Sequence, residues 1–539
     1  MRRGFACVAI GAGAVTLMLS LASCNEPAVT RAPCPAGKVC LERGNVAEPV
    51  SLDPDKITGT WEDFIVSDMI VGLTQNDVDG KMIPGVATSW ETSPDGLTWT
   101  FHLRDAKWSD GVPVTSADFV AGLYHLLDPK EAADYASLLY MIKNAEPVNS
   151  GKMPVTALGV EAPDPRTFII HLEHPAPFLA ELATHQTMYP VPKHMLDKWG
   201  DNWSKPPHYV SDGPYSLVDW KLGDNVHLTK NPLFWDADKV CIDEVRYYPT
   251  VDSIAAERRV RRGELDMNAD YQSNRMTHLR EQIPAYVHNH TYLGIDYLAF
   301  NTTLPKFKDR RVRQALSMII DRDFITKKLT RGGNVTAYTF VPAGVANYEQ
   351  IAPPDWASLP FDQRIPIAKK LLADAGYGPK NPLKVEITYR NSSENLLVMP
   401  ALQADWAAIG VKAELKVEDT QIAYQDFNNK NFEIADAGWI ADYNDAFSFL
   451  YLFKSDTGSN NYSGYNNPAF DALIARSDQE QDLKKRELIL QQAEAMMQAD
   501  YPVANAWYTI NKNLVNPRIT GFVDNIVDKH RTRYMCIPK

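Results

Sequence analysis

Two hydrophobic periods alternate along most of the chain. Apolar residues share one helical face over 61–71, where Phe64, Ile65, Met69 and Ile70 line up, and over 311–320, where Val312, Ala315, Leu316 and Ile319 point inward. Residues 99–103 and 384–390 instead alternate as strands, the second with Val385, Ile387 and Tyr389 on one face, and 166–172 reads as another strand. Asp79 and Gly80, central in 77–81, predict a hairpin turn. Thr115 is placed to cap a helix through Val120 and Leu123, and Asp321 to cap one running to Leu329. A helix over 365–375 closes at Gly376, and Pro366 fits only its first turn. A helix over 396–409 closes at Gly410 and leads into a strand over 411–417; with 384–390 this makes a βαβ-type unit. Helices over 469–475 and 483–497 follow. The order of elements is mixed α/β.

The first residues have neither period. Met1, Arg2 and Arg3 form a short basic start, Gly4 to Leu21 is uncharged and mostly small or apolar, and Leu21, Ala22 and Ser23 precede Cys24. This predicts a secretory signal over 1–23 with a lipoprotein cleavage box, leaving Cys24 as a lipidated N-terminus. Several acyl chains would hold the chain at a membrane surface, where one alone binds only marginally. Residues 24–44, rich in Pro, Ala and Gly, are expected to be a tether. No later stretch has the ~18 consecutive apolar residues of a spanning helix.

Export changes what the cysteines mean. With Cys7 removed and Cys24 lipidated, Cys34, Cys40, Cys241 and Cys536 remain, an even number in an oxidising compartment, which favours two disulfides. Their spacing leaves three pairings open. A lone Cys34-x5-Cys40 without a companion His is a poor zinc site. The body is too long for one core and predicts two or three domains. The whole chain's net charge of −12 makes it a poor nucleic-acid binder. The 12 Trp and 24 Tyr suit a large ligand cavity as well as a large core.

Catalytic signatures are missing: there is no G-x-S-x-G, S-x-x-K, H-E-x-x-H or Walker A pattern. His288 and His290 share a strand face, but no carboxylate or Cys nearby in sequence completes a metal site. The expectation is a protein that is not an enzyme and carries no cofactor or metal.

Longer patterns are more informative. Gly85-Val86-Ala87-Thr88-Ser89-Trp90-Glu91 leads through Trp99-Thr100-Phe101-His102-Leu103-Arg104 to Ala106-Lys107-Trp108-Ser109-Asp110-Gly111 and Val114-Thr115-Ser116-Ala117-Asp118-Phe119. Ser211-Asp212-Gly213-Pro214-Tyr215, Gly263-Glu264-Leu265-Asp266 and Asp309-Arg310-Arg311-Val312-Arg313-Gln314-Ala315-Leu316 follow, and then Gly438-Trp439-Ile440-Ala441-Asp442-Tyr443-Asn444-Asp445. Together they resemble the bacterial family 5 extracellular solute-binding proteins, the oligopeptide- and dipeptide-binding group, over nearly the whole mature chain.

The resemblance implies an α/β, two-lobed periplasmic-binding-protein fold of the large three-domain type II class, with a ligand cleft between domains. Domain I would comprise 45–70, 190–293 and 511–539, domain II 71–189 and domain III 294–510, with a hinge near 293 and 510. Cys241 and Cys536 then fall in one domain, so the implied disulfides are Cys34–Cys40 and Cys241–Cys536. The function implied is capture of peptides outside the cytoplasmic membrane, as a monomer lipid-anchored in the periplasm or cell envelope, for delivery to the permease and ATPase subunits of an ABC importer. The alternative is the same fold serving a non-peptide solute, a murein fragment or sensing. An acidic residue in the family's G-W-x-A-D-Y motif binds the peptide ammonium; its match here is Asp442. Gly438, Trp439 and Tyr443 flank it, Thr58, Gly59 and Thr60 match a cleft-lining segment, and Tyr135 and Tyr140 a region that closes over ligand.

Departures accompany the match. Where relatives of the enteric type have a basic residue six positions before the clamp, available to a ligand carboxylate, this chain has Asp436. A cysteine two residues before the clamp is Ile440 here, and its partner aligns near Gly294. The amine end of the implied site is kept and the carboxylate end rewritten.

Overall fold

The alternating segments satisfy their backbone bonds in one long mixed sheet. In the computed structural model, which describes residues 31–538, this sheet has 11 strands. Its order is Lys412–Glu418, Lys384–Arg390, Ile434–Ile440, Val287–Phe300, Val503–Val515, Met267–Ala269, Cys40–Asn45, Glu244–Tyr248, Asn225–Lys230 and Tyr215–Lys221, with Val335–Thr336 paired to Val503–Val515. Lys384–Arg390 and Lys412–Glu418 pair in parallel across the Ser393–Ala407 helix, as a βαβ unit requires.

Val287–Phe300 and Val503–Val515 run antiparallel to each other through the middle of the sheet. The expected crossing points at 293 and 510 lie within them. Their ladder is interrupted there, by a register shift between Thr291 and Ile295 and another between Asp296 and Tyr297. The two-residue period sends alternate side chains to separate cores. Ile295, Tyr297 and Ala299 join Phe340, Phe427 and Phe449, while Leu298 and Phe300 join Val312, Leu316 and Trp406.

A second sheet, Ala87–Thr92, Thr98–Leu103, Thr167–His171 and Val160–Asp164 in spatial order, is antiparallel. Phe168 sits between Phe101 of this sheet and Phe119 of the Ser116–Leu127 helix. That helix starts where Thr115 predicts, in a capping box in which the Thr115 N–H donates to Asp118 at 2.8 Å. Thr74–Asn76 and Met82–Pro84 form the hairpin expected around Gly80.

Several local expectations are corrected. Residues 40–44, assigned to the tether, belong to the fully buried strand Cys40–Asn45, parallel to both Glu244–Tyr248 and Met267–Ala269. The helix expected over 365–375 begins earlier, as Phe361–Asp374, so Pro366 lies inside it and not in its first turn. The Arg364 guanidinium holds that early start by bonding Leu359 O and Ala357 O at 2.7 and 3.0 Å. After the Asp321 cap, Phe324–Thr330 is a π-helix. Thr326 and Thr330 hydroxyls bond back to Arg322 O and Ile325 O at 2.8 and 3.1 Å, intrusions of the kind that widen a helix.

Disulfides join Cys34 to Cys40 and Cys241 to Cys536. The signal segment, Cys7 and Cys24 lie outside the described residues. Among the described residues no helix is long and apolar enough to cross a membrane.

Candidate functional site

The Ile434–Ile440 strand ends at a turn that is fixed from below. Asp445 accepts two hydrogen bonds from buried Arg486, at 2.7 and 2.9 Å, and Asn444 Oδ1 accepts from Ala346 N at 2.9 Å. The Asp442 N–H donates to Ser448 Oγ at 3.2 Å. With the turn after it anchored, Asp442 faces a cavity of about 1370 Å³. That exceeds the ~300–1,000 Å³ of ordinary small-molecule pockets. Asp134, Tyr135, Tyr140 and Phe178 line one side, and Asp296, Arg390, Gly438, Trp439 and Tyr462 the other.

Burial pushes the Asp442 carboxyl up to about 7. Among the described residues no cation stands within ion-pair distance of it, so the site holds a half-buried carboxyl group without a counter-charge. Tyr135 shares its surroundings: burial first, and the charge of Asp442 second, push its phenol up to about 12.

Other residues singled out from the sequence are placed as follows. Trp439 lines the cavity, donates Nε1 to Ser448 O at 2.7 Å and meets the edge of Tyr451. Gly438 pairs across the sheet with Asp296. Tyr443 is buried against Phe178. Tyr140 donates to Asn149 at 2.8 Å at the cavity edge. Thr58, Gly59 and Thr60 do not line this cavity. They form the start of the Thr60–Met69 helix, where Glu62 accepts from the Thr58 and Gly59 N–H groups at 3.1 and 2.9 Å.

Asp436 and Arg390 explain the rewritten end. Arg390, the last residue of its strand, donates Nε and Nη2 to Asp436 at 2.9 and 3.1 Å and Nη1 to Tyr424 at 3.0 Å. Asn395 adds a bond to Asp436 at 2.6 Å. A guanidinium therefore reaches the cavity wall from a neighbouring strand, already paired. Sequence reading missed this pair, along with Asp296 and Phe178, because each matters only through partners far away in the chain.

Two groups bear on metal binding. His288 has the carboxylate its neighbourhood in sequence lacked: Asp524, at 3.0 Å. Asp53, Asp55 and His125 bring ligand atoms within 4.8 Å of one another in a buried cluster, chemically able to hold a cation. His125 Nδ1 is 3.0 Å from Asp55, and Lys56 with Glu131 and Asp201 extends the cluster as an ion-pair network.

The fold and cavity define a two-lobed solute-binding protein of α/β architecture. The model of "Bacterial extracellular solute-binding proteins, family 5 Middle" matches residues 81–461. The chain is 36% identical over 536 residues to the "Periplasmic oligopeptide-binding protein OppA" of Salmonella typhimurium, covering 97% of each. It superposes on the "MppA Periplasmic Murein Tripeptide Binding Protein, Unliganded Open Form" with a TM-score of 0.84 at 34% identity, over 93% of this chain and 98% of that one. Against the Haemophilus influenzae OppA complex with RPPGFSPFR the TM-score is 0.76 at 33% identity, over 93% and 99%. The chain belongs to the family 5 extracellular solute-binding proteins, whose members here are substrate-binding proteins rather than enzymes.

Proposed function

We propose that this chain captures peptides by their N-terminal ammonium at Asp442 and delivers them to the permease and ATPase subunits of an ABC importer. The observation that carries this reading is the half-buried Asp442 carboxyl group, without a cation partner among the described residues, in a cavity large enough for several residues of extended chain. An ammonium would supply the missing charge, and a charge-assisted bond of this kind contributes ~1.5–3 kcal/mol. Gly438, Trp439 and Tyr443 shape the floor beside it, and Tyr135 and Tyr140 close from the opposite lobe. Thr58, Gly59 and Thr60, at the start of the Thr60–Met69 helix, would line the cleft from the first domain. Similarity to proteins named as oligopeptide- and murein-tripeptide-binding supports a peptide as the ligand class.

In this reading residues 1–23 are a cleaved signal and Cys24 is acylated, so the protein works as a monomer tethered in the periplasm or cell envelope. Its domains are 45–70 with 190–293 and 511–539, then 71–189, then 294–510. The interrupted ladder near 293 and 510 supports a hinge there. The protein carries out no chemistry; ATP hydrolysis belongs to the transporter.

The test is native mass spectrometry of the exported protein beside Asp442→Asn. The expected result is a set of bound masses assignable to short peptides, lost or strongly reduced in the variant. A single non-peptide mass, unchanged by the substitution, would overturn the peptide reading.

A further inference from the structure

Asp442 has a second carboxylate for company. Asp296 lies on Val287–Phe300, opposite Gly438 on one neighbouring strand and Trp507 on the other, and lines the same cavity. Gly438 keeps the space before it open: a Cβ there would come to 3.1 Å from Asp296 Oδ1. Among the described residues the Asp296 side chain accepts one hydrogen bond, a long one from Thr509 Oγ1 at 3.4 Å. Burial, and then the charge of Asp436, push the Asp296 carboxyl up to about 7.

Among the described residues no cation forms an ion pair with it. Asp436 and Glu394 share its sign, and the charge of Arg390 opposes them. Arg390 is committed to Asp436 and Tyr424, and Lys512 is paired with Asp270 at 3.0 Å. Further along the cavity Asp478 is also pushed up to about 7 by burial. A ligand cation placed at Asp296 would meet a carboxyl group with no direct ion-pair partner among the described residues, whereas a ligand anion would meet a wall on which Asp296, Asp436 and Glu394 outnumber Arg390.

Spacing fixes which part of a ligand arrives there. Gly438, the cross-strand partner of Asp296, lies four residues before Asp442. At ~3.3 Å per residue that is no more than about 13 Å along the strand. A peptide held by its ammonium at Asp442, extending at ~3.3–3.6 Å per residue, brings its second or third side chain within reach.

We infer that Asp296 forms a cation-selecting subsite, so that the cavity prefers peptides with Lys or Arg at the second or third position over neutral or acidic residues there. This rests on the proposed role of Asp442 as the ammonium clamp.

The experiment is calorimetric titration of the full chain with Ala-Lys-Ala and Ala-Ala-Lys, and with their norleucine and glutamate counterparts, against the wild type and Asp296→Asn. The wild type is expected to bind a lysine peptide roughly tenfold or more tighter than its norleucine twin, the size of one charge-assisted bond. Asp296→Asn should bring the lysine-to-norleucine ratio to near one. An unchanged ratio in the variant, or tightest wild-type binding of the glutamate peptides, overturns the subsite while the peptide reading stands. No binding of any peptide by the wild type overturns both. The wild-type lysine-to-norleucine ratio needs no variant, so a poorly folding Asp296→Asn would not blunt the test.

Discussion

Phe178 lies face to face with Tyr443, the ring centroids 5.0 Å apart and the planes 15° from parallel. Phe447 stacks on it at 4.9 Å and the Arg486 guanidinium lies 5.6 Å from its centre. Phe178 belongs to the segment carrying the four-stranded sheet, and the other three to the segment carrying the Ile434–Ile440 strand. The contact joins two parts of the molecule beside the cavity and sits over the Arg486–Asp445 pair that anchors the Asp442 turn.

Phe178→Ala is therefore expected to destabilise the protein by ~3–5 kcal/mol, the usual range for a buried Phe. It should also weaken ligand binding, because the turn beneath loses its cover. Urea unfolding and peptide titration of Phe178→Ala and Phe178→Leu check this. Leu should recover much of the stability but not the stacking, which adds ~0.5–1.5 kcal/mol beyond burial. A loss below about 1 kcal/mol in the Ala variant would mean the two parts do not depend on this contact.

Asp442 should give binding a pH optimum. Its free carboxyl, pushed up to about 7, takes a proton as pH falls through that value, and a bound ammonium must displace it. Affinity should then fall by up to about tenfold per pH unit below 7. Above pH ~8 it should fall again as the peptide's α-amine deprotonates. Asp442→Asn should lose the acidic limb and bind weakly throughout. For the ligand-free fold the sign is reversed. A carboxyl whose folded pKa is raised costs stability as pH climbs from its unfolded value, near 3.8, to about 7. The variant should therefore be the more stable protein at pH 8. Titrations and urea midpoints at pH 5, 7 and 8 read both effects.

How far the sequence went can be seen residue by residue. The Lys384–Arg390 strand and the Thr115 cap are local patterns and stand where the periods put them. Asp442 stands out in the sequence because a long motif surrounds it, and it lines the cavity. Thr58, Gly59 and Thr60 matched a cleft-lining segment, and their place at a helix start, where Glu62 accepts from the Thr58 and Gly59 N–H groups, was not read from the sequence. Cys40–Asn45 was hidden because six residues after a Pro- and Gly-rich stretch carry too little pattern, and their pairing partners lie some 200 residues away. Asp296 and Arg390 gain meaning only when the sheet sets 296 beside 438 and 390 beside 436. No window along the chain holds that information.

His125 should make stability fall in alkaline conditions. Burial opposes its charge, but the hydrogen bond to Asp55 and the charges of Asp55, Asp53 and Glu131 win, raising it to about 9. Lys56 lies in the same network and Asp201 at its edge. A His raised in the folded state contributes stability that is fully present below its unfolded pKa of ~6.5 and lost as pH rises through about 9. The slope is at most ~1.4 kcal/mol per pH unit. Urea midpoints should fall more steeply between pH 7 and 9 in the wild type than in His125→Asn. Parallel curves for the two proteins would show that the imidazole does not hold its proton there.

The two disulfides should differ in worth because they close loops of very different length. Cys34–Cys40 spans six residues near the start of the described chain. Cys241–Cys536 spans 295 and ties the segment before Glu244–Tyr248 to the C-terminal end. Cross-linking limits the unfolded chain more as the closed loop grows, and losing such a bridge typically costs ~2–5 kcal/mol. Cys241→Ser with Cys536→Ser should therefore fall in that range, while Cys34→Ser with Cys40→Ser should cost clearly less. Thermal unfolding of both double variants, with and without reductant, decides it. Reductant should bring the wild type down to the level of the protein lacking all four cysteines and leave that protein unchanged. Equal losses from the two pairs would show that local geometry, and not the length of chain enclosed, sets what each bridge contributes.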